Sequence, residues 1–282
     1  MNNTYNDIRS AVSRIISRYS LAVTVFLLAA VPGCASGLGL GGFNLISIEE
    51  EWQMGQQLER QIASELTLVN DATATAYINS IGQRIVSQTP MANLPWKFHI
   101  VADPAINAFN VPGGHVYVNT GLIAAADNVS ELAGVMAHEI AHGVERHGTE
   151  RITQVYGLNV IASLVLGQNP DILEQIVAQV VGTGTVASMS RGAEREADQL
   201  GVRYMHAAGY NPDGMASFFG KLLAEEGRGS SSVERFFATH PLTQDRIRDV
   251  ERQAASLPAR QGLITRDQQL GSVKQRVARY NR

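Results

Sequence analysis

Residues 138–142 read His-Glu-Ile-Ala-His, and this pentapeptide restricts the fold more than any other stretch of the chain. Two imidazoles four residues apart can share one ion only if a helix carries them, because 3.6 residues per turn brings both to the same face. Glu139 then lies about 100° round the helix from His138, beside a metal rather than on it. Its carboxylate there can take a proton from a water on the metal. The fold must bring a third ligand to that helix from elsewhere.

The pattern H-E-x-x-H-x-x-G-x-x-H is excluded, since Glu145 and Gly148 stand where it needs glycine and histidine, and His147 is out of register. The single cysteine, Cys34, lies far from the motif and has another reading, so a thiolate ligand is excluded as well. A carboxylate from a later helix remains. Ser190 to Asp198 (SRGAEREAD) offers Glu194, Glu196 and Asp198. Glu194 and Asp198 are four apart and share a face, whereas Glu196 points elsewhere. Glu194 can complete a His-His-Glu site holding one Zn2+ per chain, with Asp198 accepting a hydrogen bond from a ligand histidine. Taken alone, this segment fits a solvent face salt-bridged through Arg191 and Arg195 equally well.

Charge narrows the partners. Lys plus Arg is 23 against Asp plus Glu 26, a net charge of -3, which speaks against a nucleic-acid binder. One cysteine permits no internal disulfide and no Cys-rich cluster. Arg9, Arg14 and Arg18 precede the apolar run Leu21–Val31, too short to span a bilayer, which reads as the core of a signal peptide over 1–33. Val31-Pro32-Gly33-Cys34 comes next and resembles a bacterial lipobox, making Cys34 a lipid anchor to the membrane. Gly37, Gly39, Gly41 and Gly42 then read as part of a flexible tether over 34–46.

The folded part is expected to start at Ser47, which with Glu50 makes a capping box for a helix to about residue 66. Asp71 caps a second helix ending before Pro90. Between Pro95 and Thr120, Phe98, Ile100, Val116 and Val118 alternate with polar residues around Pro112-Gly113-Gly114, predicting a small antiparallel sheet. Asn128 with Glu131 opens the helix that carries the histidine pair. Residues 157–187 are apolar but interrupted at 168–171, predicting two packed helices; a surface dipping into a bilayer is the alternative. Further helices are expected at 188–208, from Pro212, and over Thr243–Ala255, and 258–282 reads as a basic tail. His99, His115, His147 and His206 read as ordinary surface or core histidines.

H-E-x-x-H with S-R-x-x-E-x-x-A-D some fifty residues later resembles the HtpX-like and CAAX-prenyl-protease-like family of zinc metallopeptidases, within the gluzincins. Asn107-Ala108-Phe109, the Gly113-Gly114 strand entry and His240-Pro241 extend the likeness over most of 47–257, and its lipid-anchored periplasmic branch is the nearest in pattern. Two features depart from relatives: the chain shows no integral membrane helices, and the segment beyond residue 257 is too short for a helical-repeat domain. The resemblance implies an α+β, mostly helical, zincin-type metalloprotease domain over 47–257 with the small antiparallel sheet beside the zinc helix. It implies zinc on His138, His142 and Glu194, with Glu139 as catalytic base. It further implies a substrate laid along the strand of Val116 and Tyr117, with backbone help at Asn107 and Ala108. His240 is expected near the metal, assisting catalysis or capping the ion, and Arg246 could orient it. The implied role is cleavage of unfolded or misassembled proteins, outer-membrane proteins among them, by an enzyme on the periplasmic face of the outer membrane. Two other readings stay open: a chaperone-like lipoprotein with a capped structural zinc, and a zinc hydrolase acting on a non-peptide cell-wall substrate.

Overall fold

The structure, a computed structural model, describes residues 46–184 and 188–281. The signal peptide, Cys34 and nearly all of the expected tether lie outside these residues. Ile46, the last residue of that tether, is buried, and its carbonyl accepts from Arg146, so the fold has already begun there.

Helix α1 (Ile48–Glu65) is closed at its start by the Ser47–Glu50 capping box, and α2 (Ala72–Val86) by the Asp71 carboxylate on Ala74 N–H. Strands β1 (Lys97–Val101), β2 (Ala108–Val111) and β3 (His115–Asn119) form one sheet in the order β1-β3-β2. The sheet is mixed rather than antiparallel: β3 pairs antiparallel with β2 and parallel with β1. The Pro112–Gly114 turn folds β3 back on the residues just before it, which makes β2 the hairpin partner and leaves β1 to join from the far side. Gly113 has φ 87° and approaches Gly55 of α1 so closely that a Cβ on Gly55 would stand 2.4 Å from the Pro112 carbonyl oxygen. The turn is thereby pinned under α1.

After the short α3 (Thr120–Ala125), α4 (Val129–Val144) runs through the centre of the molecule with every residue buried. Its cap is Asn128, which accepts from Glu131 N–H. Arg146, in the left-handed region at φ 60°, reverses the chain into α5 (His147–Tyr156). The apolar stretch becomes α6 (Leu158–Val165) and α7 (Pro170–Thr183), packed on α1 through Ile161, Leu164, Ile176 and Val180. Among the described residues no helix is long and apolar enough to cross a membrane. Helices α8 (Arg191–Ala207), α9 (Asp213–Gly227), α10 (Glu234–Thr239) and α11 (Gln244–Ser256) complete the surroundings of α4.

Apolar burial divides at the sheet. Phe98, Ile100, Val116 and Val118 face α4 and its neighbours, while Val101, Phe109 and Tyr117 face α1, α6 and α7. Residues beyond 257 are not a separate tail. Ile264 bridges to Tyr210, and α12 (Leu270–Val277) buries Leu270, Val273 and Val277. Tyr77 donates to Asp267 at 2.7 Å and Arg276 to Asp71 at 3.1 Å. The stripe at 270, 273 and 277 has helical spacing, with the half-buried Lys274 and Arg276 between its members.

Candidate active site

One turn of α4 separates His138 from His142, and their Nε2 atoms lie 3.1 Å apart. Helix α8 presents Glu194 to the same point. Its Oε2 is 3.6 Å from His138 Nε2 and its Oε1 3.4 Å from His142 Nε2. Ser190 sets the start of α8 by accepting from Ala193 N–H, which puts Glu194 on the first turn and Asp198 one turn on. The approach of the two helices depends on Gly201, where a Cβ would come within 3.1 Å of the His138 backbone nitrogen.

Each ligand histidine has its second nitrogen beside a polar partner. His138 Nδ1 is 3.0 Å from Asp198 Oδ1. His142 Nδ1 is 2.9 Å from Nδ1 of His147, whose Nε2 faces Glu196 at 3.4 Å. Each ligand imidazole, when neutral with Nδ1–H turned outward, directs its Nε2 lone pair at the same point, which suits one cation. The spacings match the roughly 3.3 Å between ligand atoms of a tetrahedral zinc with bonds of about 2.0–2.1 Å. The donor set, two imidazoles and a carboxylate, is one zinc favours.

His240 stands at the end of α10, its N–H donating to the Phe236 carbonyl. Its Nδ1 is 2.9 Å from Glu194 Oε1 and 3.4 Å from His138 Nε2, and its Nε2 is 3.4 Å from Glu139 Oε1. It stands with His138, His142 and Glu194 as a fourth residue able to hold the ion. Arg246, on the first turn of α11, is buried rather than solvated. It forks onto Asp198 at 2.7 and 2.8 Å, reaches Glu194 Oε2 at 2.6 Å and donates to the Pro241 carbonyl at 2.9 Å. One guanidinium thus holds both carboxylates and the turn that carries His240.

Burial acts on every group here, and for His138 and Glu194 the neighbours overturn its direction. Burial alone would lower His138, but Asp198 and Glu194 hold it up at about 10, whereas His142 is pushed down to about 3 by burial. Glu194 is held well below the carboxylate range by the three histidines against its burial. Glu139 is pushed up by burial, which suits a base.

The substrate-strand expectation needs correction. Strand β3 is paired on both sides and Val116 and Tyr117 are wholly buried, so neither can pair with a substrate. Among the described residues the unpaired sheet edge next to α4 belongs to β2. Asn107 spends its carbonyl on Asn119 N–H, so alternation turns Ala108 and Asn110 outward. Consistently, the Asn110 backbone N–H acts to lower the Glu139 carboxyl against its burial, so it faces that side chain. Of the two backbone helpers expected, Ala108 lies at the edge and Asn107 does not. His147 is not the ordinary histidine its sequence context suggests, because its approach to His142 depends on the reversal at Arg146, which no periodicity reveals.

The family model of peptidase family M48 matches residues 72–254. This chain belongs to peptidase family M48. Its members are zinc metallopeptidases, and the cluster of His138, His142, Glu194 and His240 fits one zinc ion. The α+β, zincin-type expectation stands, with the sheet mixed. Similar proteins include the beta-barrel assembly-enhancing protease of Escherichia coli (strain K12), 30% identical over 87% of this chain and 52% of that protein. The protein of the same name from Yersinia pestis is 32% identical over 77% of this chain and 46% of its own length. The mitochondrial metalloendopeptidase OMA1 of Schizosaccharomyces pombe is 32% identical over 74% of this chain and 62% of its own length. The chain spans about half the length of the bacterial relatives it matches.

Proposed function

We propose that the chain is a zinc metalloendopeptidase of the bacterial envelope that cleaves extended segments of unfolded or misassembled outer-membrane proteins. The observation that carries this reading is Glu139: it lies beside the three ligand side chains, buried, and against the free edge of β2. Bound zinc supplies Lewis acidity to the scissile carbonyl and to the attacking water. Glu139 accepts the proton of that water and delivers it to the leaving amine, a role worth about 10²–10⁴-fold in rate. Ala108 and Asn110 pair with the substrate main chain, which selects extended backbone rather than particular side chains. Asp198 and His147 hold the ligand imidazoles in the metal-binding tautomer, and Arg246 holds Asp198. The names of the bacterial relatives support outer-membrane assembly as the setting. A lipid on Cys34 would place the enzyme at the periplasmic face of the outer membrane.

His240 would latch the resting enzyme if its Nδ1, 3.4 Å from His138 Nε2 and 2.9 Å from Glu194 Oε1, held the ion as a fourth ligand. The turn at Pro241 would then carry it aside before substrate enters. Casein cleavage by the purified chain, by Glu139→Gln and by His240→Ala, each with zinc content measured, tests both parts. Cleavage is expected from the parent, more of it from His240→Ala, and none from Glu139→Gln at equal zinc. Cleavage surviving in Glu139→Gln would refute the assignment of the base. Zinc bound without cleavage by the parent or by His240→Ala would make the metal structural and overturn the reading.

A further inference from the structure

The face of the sheet turned away from α4 carries a second convergence of metal-binding side chains. His99 on β1 and His115 on β3 project from adjacent parallel strands toward Glu59 on α1. His99 Nε2 is 3.8 Å and His115 Nδ1 4.0 Å from the same oxygen, Glu59 Oε1, and the three ligand atoms all lie within 4.8 Å of one another. The His99 ring is stacked on Tyr117 at 4.6 Å, nearly parallel, which fixes the plane of its imidazole.

Among the described residues neither His99 Nε2 nor His115 Nδ1 has a hydrogen-bond partner, although both atoms are buried and the His115 residue is only 2% exposed. Buried polar atoms go unpaired seldom, because each forfeits its hydration without return. Here two orphaned imidazole nitrogens converge on one carboxylate oxygen, an arrangement that a cation completes.

We infer that Glu59, His99 and His115 form a second binding site for a divalent cation of the zinc class, separate from the His138 centre and independent of the proposed peptidase activity. Two imidazoles with one carboxylate favour zinc over magnesium or calcium, which take oxygen ligands. A contraction of about half an ångström at each ligand brings the three atoms to zinc distances. Glu59 and His99, with side chains 20% and 16% exposed, have room for it. The present occupant of the Glu59 carboxylate is the Lys97 ammonium, which donates to Oε1 at 3.0 Å and to Oε2 at 2.8 Å. Lys97 is half exposed and can withdraw into water, so it acts as a competitor rather than a barrier. An ion there ties α1 to the two strands β1 and β3, bracing the sheet from the side opposite the active-site helix.

Zinc per chain, counted by mass spectrometry and titrated against a chromophoric chelator, tests the site on the whole purified chain. The parent is expected to bind two ions. The double variant His138→Ala/His142→Ala should keep one, and adding His99→Asn or Glu59→Gln should remove it. Lys97→Gln should tighten the second ion several-fold by removing the competing ammonium, a change that a purely structural role for these residues would not produce. If the double variant fails to fold, the parent alone decides: the second equivalent of zinc should protect His99 from diethyl pyrocarbonate. A single ion per chain, a second ion indifferent to both His99→Asn and Glu59→Gln, or no protection of His99 overturns the inference.

Discussion

Replacing Arg246 by leucine removes a guanidinium that faces two buried carboxylates. Asp198 and Glu194 are 4% and 1% exposed, and Arg246 meets them at 2.6–2.8 Å. Removing one partner from a buried, hydrogen-bonded ion pair costs about 3–5 kcal/mol, because the remaining charge keeps its desolvation and loses its compensation. In the metal-free protein both carboxylates bear that loss. With zinc present, the ion compensates Glu194 and only Asp198 is left, still facing His138 Nδ1, so the cost should fall to roughly half. For a domain of this size about 2–4 °C accompanies each kcal/mol. The melting temperature should therefore drop by about 10 °C in chelator and about half as much in zinc, when followed by circular dichroism. Zinc affinity should weaken by about 10–100-fold, since Asp198 no longer holds the His138 tautomer firmly. Adding Asp198→Asn to Arg246→Leu should restore part of the stability by removing the stranded charge. A drop below about 2 °C in chelator, or equal drops with and without zinc, would refute the argument that Arg246 compensates both carboxylates.

Three other changes are informative. His147→Gln should leave the melting temperature nearly unchanged in chelator but weaken zinc binding by about 10–100-fold, read by competition with a chelator, because it loosens His142. Gly201→Val forces α8 away from the His138 backbone, and should cost about 1–3 kcal/mol in urea unfolding together with a loss of zinc affinity. Asp71 is held below the usual carboxylate range by the Ala74 N–H, with Arg276 adding to the effect. Its charge therefore stabilises the fold above about pH 4, and that contribution is lost as the pH falls through the lowered folded value. Asp71→Asn, which keeps a cap, should unfold more readily than the parent at pH 6 and equally at pH 2; a constant gap between the two would show that the charge is irrelevant.

Much of the active site was legible because helical spacing puts chemistry on faces. His138 and His142, or Glu194 and Asp198, need only a regular helix to align, and the capping residues Asn128 and Ser190 mark where those helices begin. The sheet was harder. Strand β2 is four residues long with Asn110 in its middle, so its alternation is faint, and nothing local shows that β1 joins β3 rather than β2. The misplaced substrate strand has that origin, since centrality and edge are properties of pairing rather than of composition. The C-terminal segment was obscured by Lys274 and Arg276, which lie between the buried members of its stripe.

The sequence by itself determined the local geometry: which segments are helical, which faces bear imidazole and carboxylate, and that one more ligand had to come from outside 138–142. Those features rest on interactions within a few residues, and the spacing of residue types encodes them directly. Only the tertiary structure decided that α4, α8 and the start of α11 meet at one point, so that Arg246 forks Asp198 and His240 closes on Glu194. It also decided that His147 backs His142 and that the free edge belongs to β2. These contacts join residues up to about a hundred positions apart, or hang on a single left-handed residue at Arg146. They exist because the whole apolar surface is buried at once, and no short window of sequence contains that constraint.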